Sequence, residues 1–164
     1  MRYADGPTAE VEVEVDAPVE RVWALVTDIE LPARFSSELQ SARWLDGGPA
    51  LAARFVGQSR HPAAGTWETT CVVTECSAPR SFAWAVGDPD HPSAQWRFDL
   101  DPLAGGGTRL RQWMRMGPAP SGLTPAIEAM PDKEERIVAR RLDEHRANMA
   151  ATLAGIKDLA ESAP

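Results

Sequence analysis

The 164-residue chain is poor in the side chains that most chemistry needs, and each shortage closes off a class of function. It has two cysteines and three histidines. Cys71 and Cys76 stand five positions apart in one predicted strand, about 16 Å from each other and on opposite faces, so neither a mutual disulfide nor a metal site is expected. Basic residues are outnumbered, 17 Lys and Arg against 24 Asp and Glu, and the formal charge of -7 speaks against binding nucleic acid or anionic membrane surfaces. Nothing approaches the roughly 18 consecutive apolar residues of a membrane span, and Met1 to Thr8 is too polar for a signal peptide. A cytoplasmic protein without membrane insertion is expected. The G-x-S-x-G, H-E-x-x-H, Walker A and G-x-G-x-x-G patterns do not occur, so hydrolase, metalloprotease and nucleotide readings lack support, and no metal or cofactor is expected.

What remains is an ordinary globular composition, 43% hydrophobic and 25% charged, at a length suited to one domain over residues 1–164 with a core from about 9 to 161. Residues Asp132 to Glu161 contain no proline and carry Val138, Leu142, His145, Met149, Leu153, Ile156 and Ala160 at helical spacing, which predicts one long amphipathic helix. Asp132 with Glu135 has the spacing of a capping box, and Pro131 stops any earlier helix. Gly155, unfavourable mid-helix, marks a bend or a close approach to another backbone. Near the other end, Glu10 to Asp16 alternates valine with acid and predicts a half-buried strand. Pro18 suits the first turn of a helix carrying Val22, Leu25, Val26 and Ile29, and Pro32 separates it from a second short helix ending near Phe35. From Leu39 to Met116, five clusters of turn residues divide six strands whose short connections predict an antiparallel meander. Leu123 to Met130 reads as a short helix with Thr124 as cap and Pro125 at its first position.

This order, with local sequence, resembles the helix-grip fold of the START-like (SRPBCC, Bet v 1-like) superfamily: an α+β domain in which about seven curved antiparallel strands wrap a long C-terminal helix. Val11 to Asp28 (VEVEVDAPVERVWALVTD) resembles the superfamily's opening strand and helix. Gly65 to Val86, with Trp67, Thr69, Val73, Pro79, Phe82 and Trp84, resembles its central hairpin, Gly107-Thr108-Arg109-Leu110 its last strand, and Met149 to Glu161 the end of its closing helix. The likeness covers nearly the whole chain and points to bacterial polyketide cyclase/dehydrase-like members. It implies an apolar cavity between sheet and helix, and a scaffold that hosts carriers, sensors, cyclases and co-chaperones alike.

Strand alternation with the apolar face inward puts Phe55 and Ser59, Trp67 and Thr69, Phe82 and Trp84, Trp96 and Phe98, and Gln112 and Met114 toward that cavity, facing Leu142, His145 and Met149 of the helix. Aromatic rows at strand spacing also pack cores, so each residue is a core position or a ligand contact. Inward polar groups are the sharper signal, because an unpaired buried one costs about 1 to 3 kcal/mol. Gln112 is either hydrogen-bonded within the fold or holds a ligand carbonyl or hydroxyl. His145 is a satisfied core residue or a proton carrier, and His61, just before Pro62, is a loop residue or a gate. These two histidines are the candidate catalytic groups. The resemblance further implies that aromatic polyketide cyclases use a pocket arginine with Tyr, His or Trp, whereas Arg109, Arg111 and Arg115 alternate outward here and the one tyrosine, Tyr3, precedes the first strand.

Three readings follow. The first is binding of a small hydrophobic or aromatic metabolite in the cavity. The second is a cyclase, aromatase or dehydratase using the same cavity with His145 or His61 as acid-base. The third is a partner-binding, co-chaperone-like module, for which the charged alternation of the outer sheet face offers little. Lacking a catalytic set, the chain fits the first reading best; oligomeric state leaves no mark in the sequence.

Overall fold

The structure is a computed structural model that describes residues 1–162. Valine and glutamate alternate through β1 (Thr8–Val15), so Ala9, Val11, Val13 and Val15 turn in and Glu10, Glu12 and Glu14 turn out. Helix α1 (Val19–Val26) buries Val19, Val22 and Val26, with Pro18 as its N-cap, one place ahead of the expected first turn. The predicted second helix is a single 3-10 turn, Leu31–Arg34, with Pro32 in its first turn. Six strands follow: β2 (Leu39–Trp44), β3 (Arg54–His61), β4 (Gly65–Ser77), β5 (Ser81–Asp88), β6 (His91–Pro102) and β7 (Thr108–Met116). Each pairs antiparallel with the next, and β1 pairs with β7, giving the sheet order β1-β7-β6-β5-β4-β3-β2.

One expectation fails in the middle of β4. A register shift between Val73 and Glu75 inserts an extra residue, and a bulge of that kind reverses the alternation beyond it. Cys76 therefore pairs with the inward Phe82 and lies on the same face as Cys71, not the opposite one. Both thiols are free.

After β7 come α2 (Thr124–Ala129), a 3-10 turn at Pro131–Lys133, and α3 (Glu134–Ser162). Thr124 is the first residue of α2 and not its cap; its Oγ1 accepts the Ser121 N–H at 2.9 Å. The long helix starts two residues later than expected and without the capping box, because the acids there serve the chain's other end. Glu134 accepts the Arg2 Nε–H at 2.7 Å and the Tyr3 N–H at 3.1 Å, and Glu135 meets the terminal amine at 3.4 Å.

The predicted apolar row of α3 is buried at Val138, Leu142, Met149, Leu153, Ile156 and Ala160. Its most extensive packing is along β1, where Lys157 Nζ donates to the Glu14 carbonyl and the Asp16 N–H donates to Glu161. At Gly155 the Phe35 ring lies where a Cβ would be, so the glycine admits an aromatic ring and not another backbone. The core forms two apolar clusters. One gathers Val15, α1, the 3-10 turn at Leu31, inward residues of β2 to β7 from Ala42 to Leu110, and Leu153, Ile156 and Ala160; the other gathers Ala9, Met114, Met116, Val138, Leu142 and Met149.

Candidate functional site

The seam between these clusters is where the predicted inward residues converge. Register places Phe55 and Ser59 of β3, Trp67 and Thr69 of β4, Phe82 and Trp84 of β5, Trp96 and Phe98 of β6, and Gln112 and Met114 of β7 on the sheet's concave face. They divide by depth. Phe55, Phe82 and Phe98 are buried in the first cluster and Met114, Leu142 and Met149 in the second, whereas Ser59, Trp67, Thr69, Trp84, Trp96 and His145 are half-buried.

Trp84 packs on one cluster and Trp96 on the other. As cross-strand partners their indoles stand 6.3 Å apart between ring centres, with planes only 10° from parallel. His145 meets Trp96 edge-on at 5.3 Å. Burial, reinforced by the Arg141 charge and only partly opposed by Glu144, pushes the His145 pKa down to about 3. A neutral imidazole thus faces the seam at physiological pH.

Gln112 is 6% exposed, flanked across the sheet by Val11 and Phe98 and along β7 by Leu110 and Met114. Its Oε1 is buried without a hydrogen-bond partner. Of the two readings open at this position, the structure shows no partner within the fold for that oxygen.

His61 lies at the rim. The Ala63 N–H donates to its Nδ1 at 3.0 Å, and its Nε2 lies 3.1 Å from Glu144 Oε2. Glu144 belongs to a polar clasp that sequence reasoning missed. Arg141 is bidentate to Glu38 at 2.7 and 2.8 Å and reaches Glu144 at 2.8 Å, while Asn148 donates to Glu38 and accepts from Ser37. The Arg141 and Glu38 side chains are 17% and 13% exposed. Burial works against ionisation of Glu144, but the Arg141 hydrogen bond and charge, then His61, outweigh it and hold the carboxyl below its usual range. Arg141, Glu144 and Asn148 at helical spacing beside the apolar row look in sequence like any solvated flank. What marks them is that Glu38, far away in the chain, supplies the fourth group.

Two shallow concavities lie elsewhere, about 230 Å³ beside Tyr3, Gly6, Gln95, Arg115 and Gly117, and about 280 Å³ beside Glu30, Ser41, Arg43 and Gln58. Neither borders Gln112, Trp84 or His145. Between sheet and α3, Trp84, Trp96 and His145 are the inward side chains near the helix that stay partly exposed. Among the described residues no group of three or more His, Cys, Asp or Glu is placed to hold a metal ion, and no helix is long and apolar enough to cross a membrane.

Seven antiparallel strands curled around one long C-terminal helix, with two short helical segments after the first strand and a seam between sheet and helix, define a helix-grip protein. The chain belongs to the family described as polyketide cyclase / dehydrase and lipid transport, which matches residues 7–155. It is similar to a polyketide cyclase-like protein of Corynebacterium glutamicum at 28% identity and a TM-score of 0.66, covering 94% of this chain and 91% of that one. A Thermus thermophilus protein matches at 18% identity and a TM-score of 0.65, with 96% and 100% covered. The di-domain ARO/CYC protein BexL of the BE-7585A biosynthetic pathway shares the fold at 18% identity and a TM-score of 0.73; this chain is covered over 96% and spans 51% of that one. No curated protein matches the chain.

Proposed function

We propose that the protein binds a small apolar or aromatic molecule in the seam between the sheet and α3, oriented by Gln112. The observation that carries this reading is the Gln112 Oε1, buried and unpaired on the concave face. Folds rarely leave such an oxygen without a partner, because its desolvation costs about 1 to 3 kcal/mol. A ligand hydroxyl or amine donating to it recovers that cost. Trp84 and Trp96 offer half-exposed aromatic surface on the same concave face, and Met114 and Met149 are flexible enough to repack as the seam widens.

Cyclase or dehydratase chemistry in the same seam is the second reading, supported by the family and by the ARO/CYC neighbour. It ranks lower because its candidate acid-base groups are poorly suited: His145 is held uncharged, and both nitrogens of His61 are engaged. General acid-base catalysis favours a group that titrates near the working pH and is free to exchange its proton. A partner-binding role for the outer face ranks lowest, since Arg97 over Trp113 and the flanking ion pairs cover that face with charge.

Native mass spectrometry of the purified protein tests the binding reading, followed by calorimetric titration of any co-purified compound or of hydroxylated aromatic compounds. Binding is expected to weaken about tenfold in Gln112→Leu, the loss of one hydrogen bond. A protein that carries nothing and binds none of these compounds defeats the reading. Unchanged affinity in Gln112→Leu removes Gln112 from the site.

A further inference from the structure

The arginines of β7 do not have equivalent surroundings. Register sets Arg109 between Glu14 of β1 and Asp101 of β6, and Arg111 between Glu12 and Asp99, so each has an acid on both sides across the convex face. Arg115 stands instead between Thr8 and Gln95, with Trp113 two places back along its own strand, and among the described residues it pairs with no acid. In a chain of 24 acidic and 17 basic residues, an arginine whose strand neighbours are all uncharged is an exception. The acids of the adjoining N-terminal turn are already engaged. Asp5 accepts the Arg2 N–H at 2.8 Å, Glu134 accepts the Arg2 Nε–H and the Tyr3 N–H, and Glu135 meets the terminal amine.

Arg115 also borders a hollow that two glycines keep open. Gly6 precedes β1 and Gly117 follows β7, with φ of 63° and 74°, a left-handed backbone that other residues adopt only at a cost. A Cβ at Gly6 would overlap the Arg115 guanidinium, so the head group rests against the bare backbone there. A Cβ at Gly117 would press on the Tyr3 ring, whose hydroxyl is fixed by its bond to the Ala119 carbonyl. The result is the concavity of about 230 Å³ beside Tyr3, Gly6, Gln95, Arg115, Gly117 and Pro118, with no acidic residue in its wall.

We propose that this concavity is a binding site for a small carboxylate with an apolar body. The guanidinium fork of Arg115 matches the two oxygens of a carboxylate, and the Gln95 amide, its cross-strand partner, is a further donor beside it. Tyr3 and Pro118 offer apolar surface to the hydrocarbon part. The net charge of -7 opposes any anion at long range, but at about 0.15 M salt that repulsion is screened beyond about 8 Å and the local fork decides. The site is separate from the seam. Arg115 and Gln95 project from the outer face of the sheet, whereas Gln112 turns inward, so the carboxylate site does not depend on what the seam binds.

The test is NMR titration of the isotope-labelled chain, at that salt and neutral pH, with benzoate, benzyl alcohol and inorganic phosphate. Benzoate is expected to shift the amides of Gly6, Gln95 and Gly117 saturably, and benzyl alcohol, an aromatic ring without the charge, to do so at least about tenfold more weakly. Arg115→Gln is expected to weaken benzoate about tenfold or more, and Arg115→Lys, which keeps the charge but loses the fork, about threefold. Gln112→Leu is expected to leave it within about twofold, as independent sites require. Melting curves report whether each variant folds; if Arg115→Gln does not, Arg115→Lys carries the test. No saturable shift at these amides, or shifts unchanged in the folded Arg115 variants, overturns the site. Phosphate binding as tightly as benzoate overturns its assignment to a carboxylate. Shifts that persist in Arg115→Gln and vanish in Gln112→Leu put benzoate in the seam, which sinks the outer site and leaves the binding reading standing.

Discussion

Gln112 and His145 are polar side chains held in an apolar setting, and each sets stability against use. Replacing Gln112 by leucine removes an unpaired buried carbonyl, so the variant is expected to be more stable by about 1 kcal/mol in urea unfolding while losing ligand affinity. A variant that is destabilised instead would show that the amide serves the fold. For His145 the sign follows from linkage. Its folded pKa lies at about 3, below the ordinary 6.5, so between those values the unfolded chain takes up a proton that the folded chain refuses. The stability contributed by the neutral ring is complete above pH 6.5 and is lost as the pH falls toward 3. Melting temperature against pH should therefore decline less steeply across that window in His145→Leu than in wild type, and parallel curves would contradict the depressed pKa. Both residues were legible as inward polar positions, because strand and helix periodicity assign faces. Their partners were not, since partnering depends on what the opposite wall brings.

Among the elements, strands and turns were read well because their signals are local: alternating side chains and clusters of Gly, Pro and Asp. The misreadings share one cause. The β4 bulge follows from how that strand meets β5, so Cys76 changed faces with no sign in its own neighbourhood. The start of α3 moved because Glu134 is claimed by Arg2 and Tyr3, more than a hundred positions away. Gly155 was recognisable as an anomaly, but only the structure shows the Phe35 ring lying against it. On propensity alone Gly155→Ala favours the helix by about 1 kcal/mol; with the ring in the way, a net loss of about 1 to 3 kcal/mol is expected in chemical unfolding. Truncating Phe35 to alanine should cancel the penalty of the added methyl in a double-mutant cycle, and independent, additive effects would contradict the close approach.

Across the whole molecule, the grip has one apolar side, where α3 lies along β1, and one polar side, where the Glu38–Arg141 clasp joins helix to sheet. The N-terminal turn adds a third fastening. The Tyr3 hydroxyl donates to the Ala119 carbonyl at 2.6 Å, and its ring lies against Gly117, which has φ of 74°. Tyr3→Phe keeps the ring and loses that bond, so a stability loss of about 1 kcal/mol is expected, with faster hydrogen exchange localised to the Gly117 to Gly122 loop. Uniform acceleration across the chain would argue against a local tie. The family resemblance was legible at this scale because element order survives where site residues do not, which is also why it names a scaffold before a ligand.

The pairing of β1 with β7 also bears on how the chain is made. Thr8 finds its register partner in Arg115, about a hundred positions later. At about 5 to 20 residues per second, ribosomal synthesis leaves the first strand without its neighbour for about 5 to 20 seconds, and α3, which covers it, emerges later still. During that wait a bare valine strand is a template for pairing with another nascent copy. Glu10, Glu12 and Glu14 give each copy a row of like charges along that segment, so the acids that end up on the convex face of the finished protein also disfavour pairing between two unfinished copies.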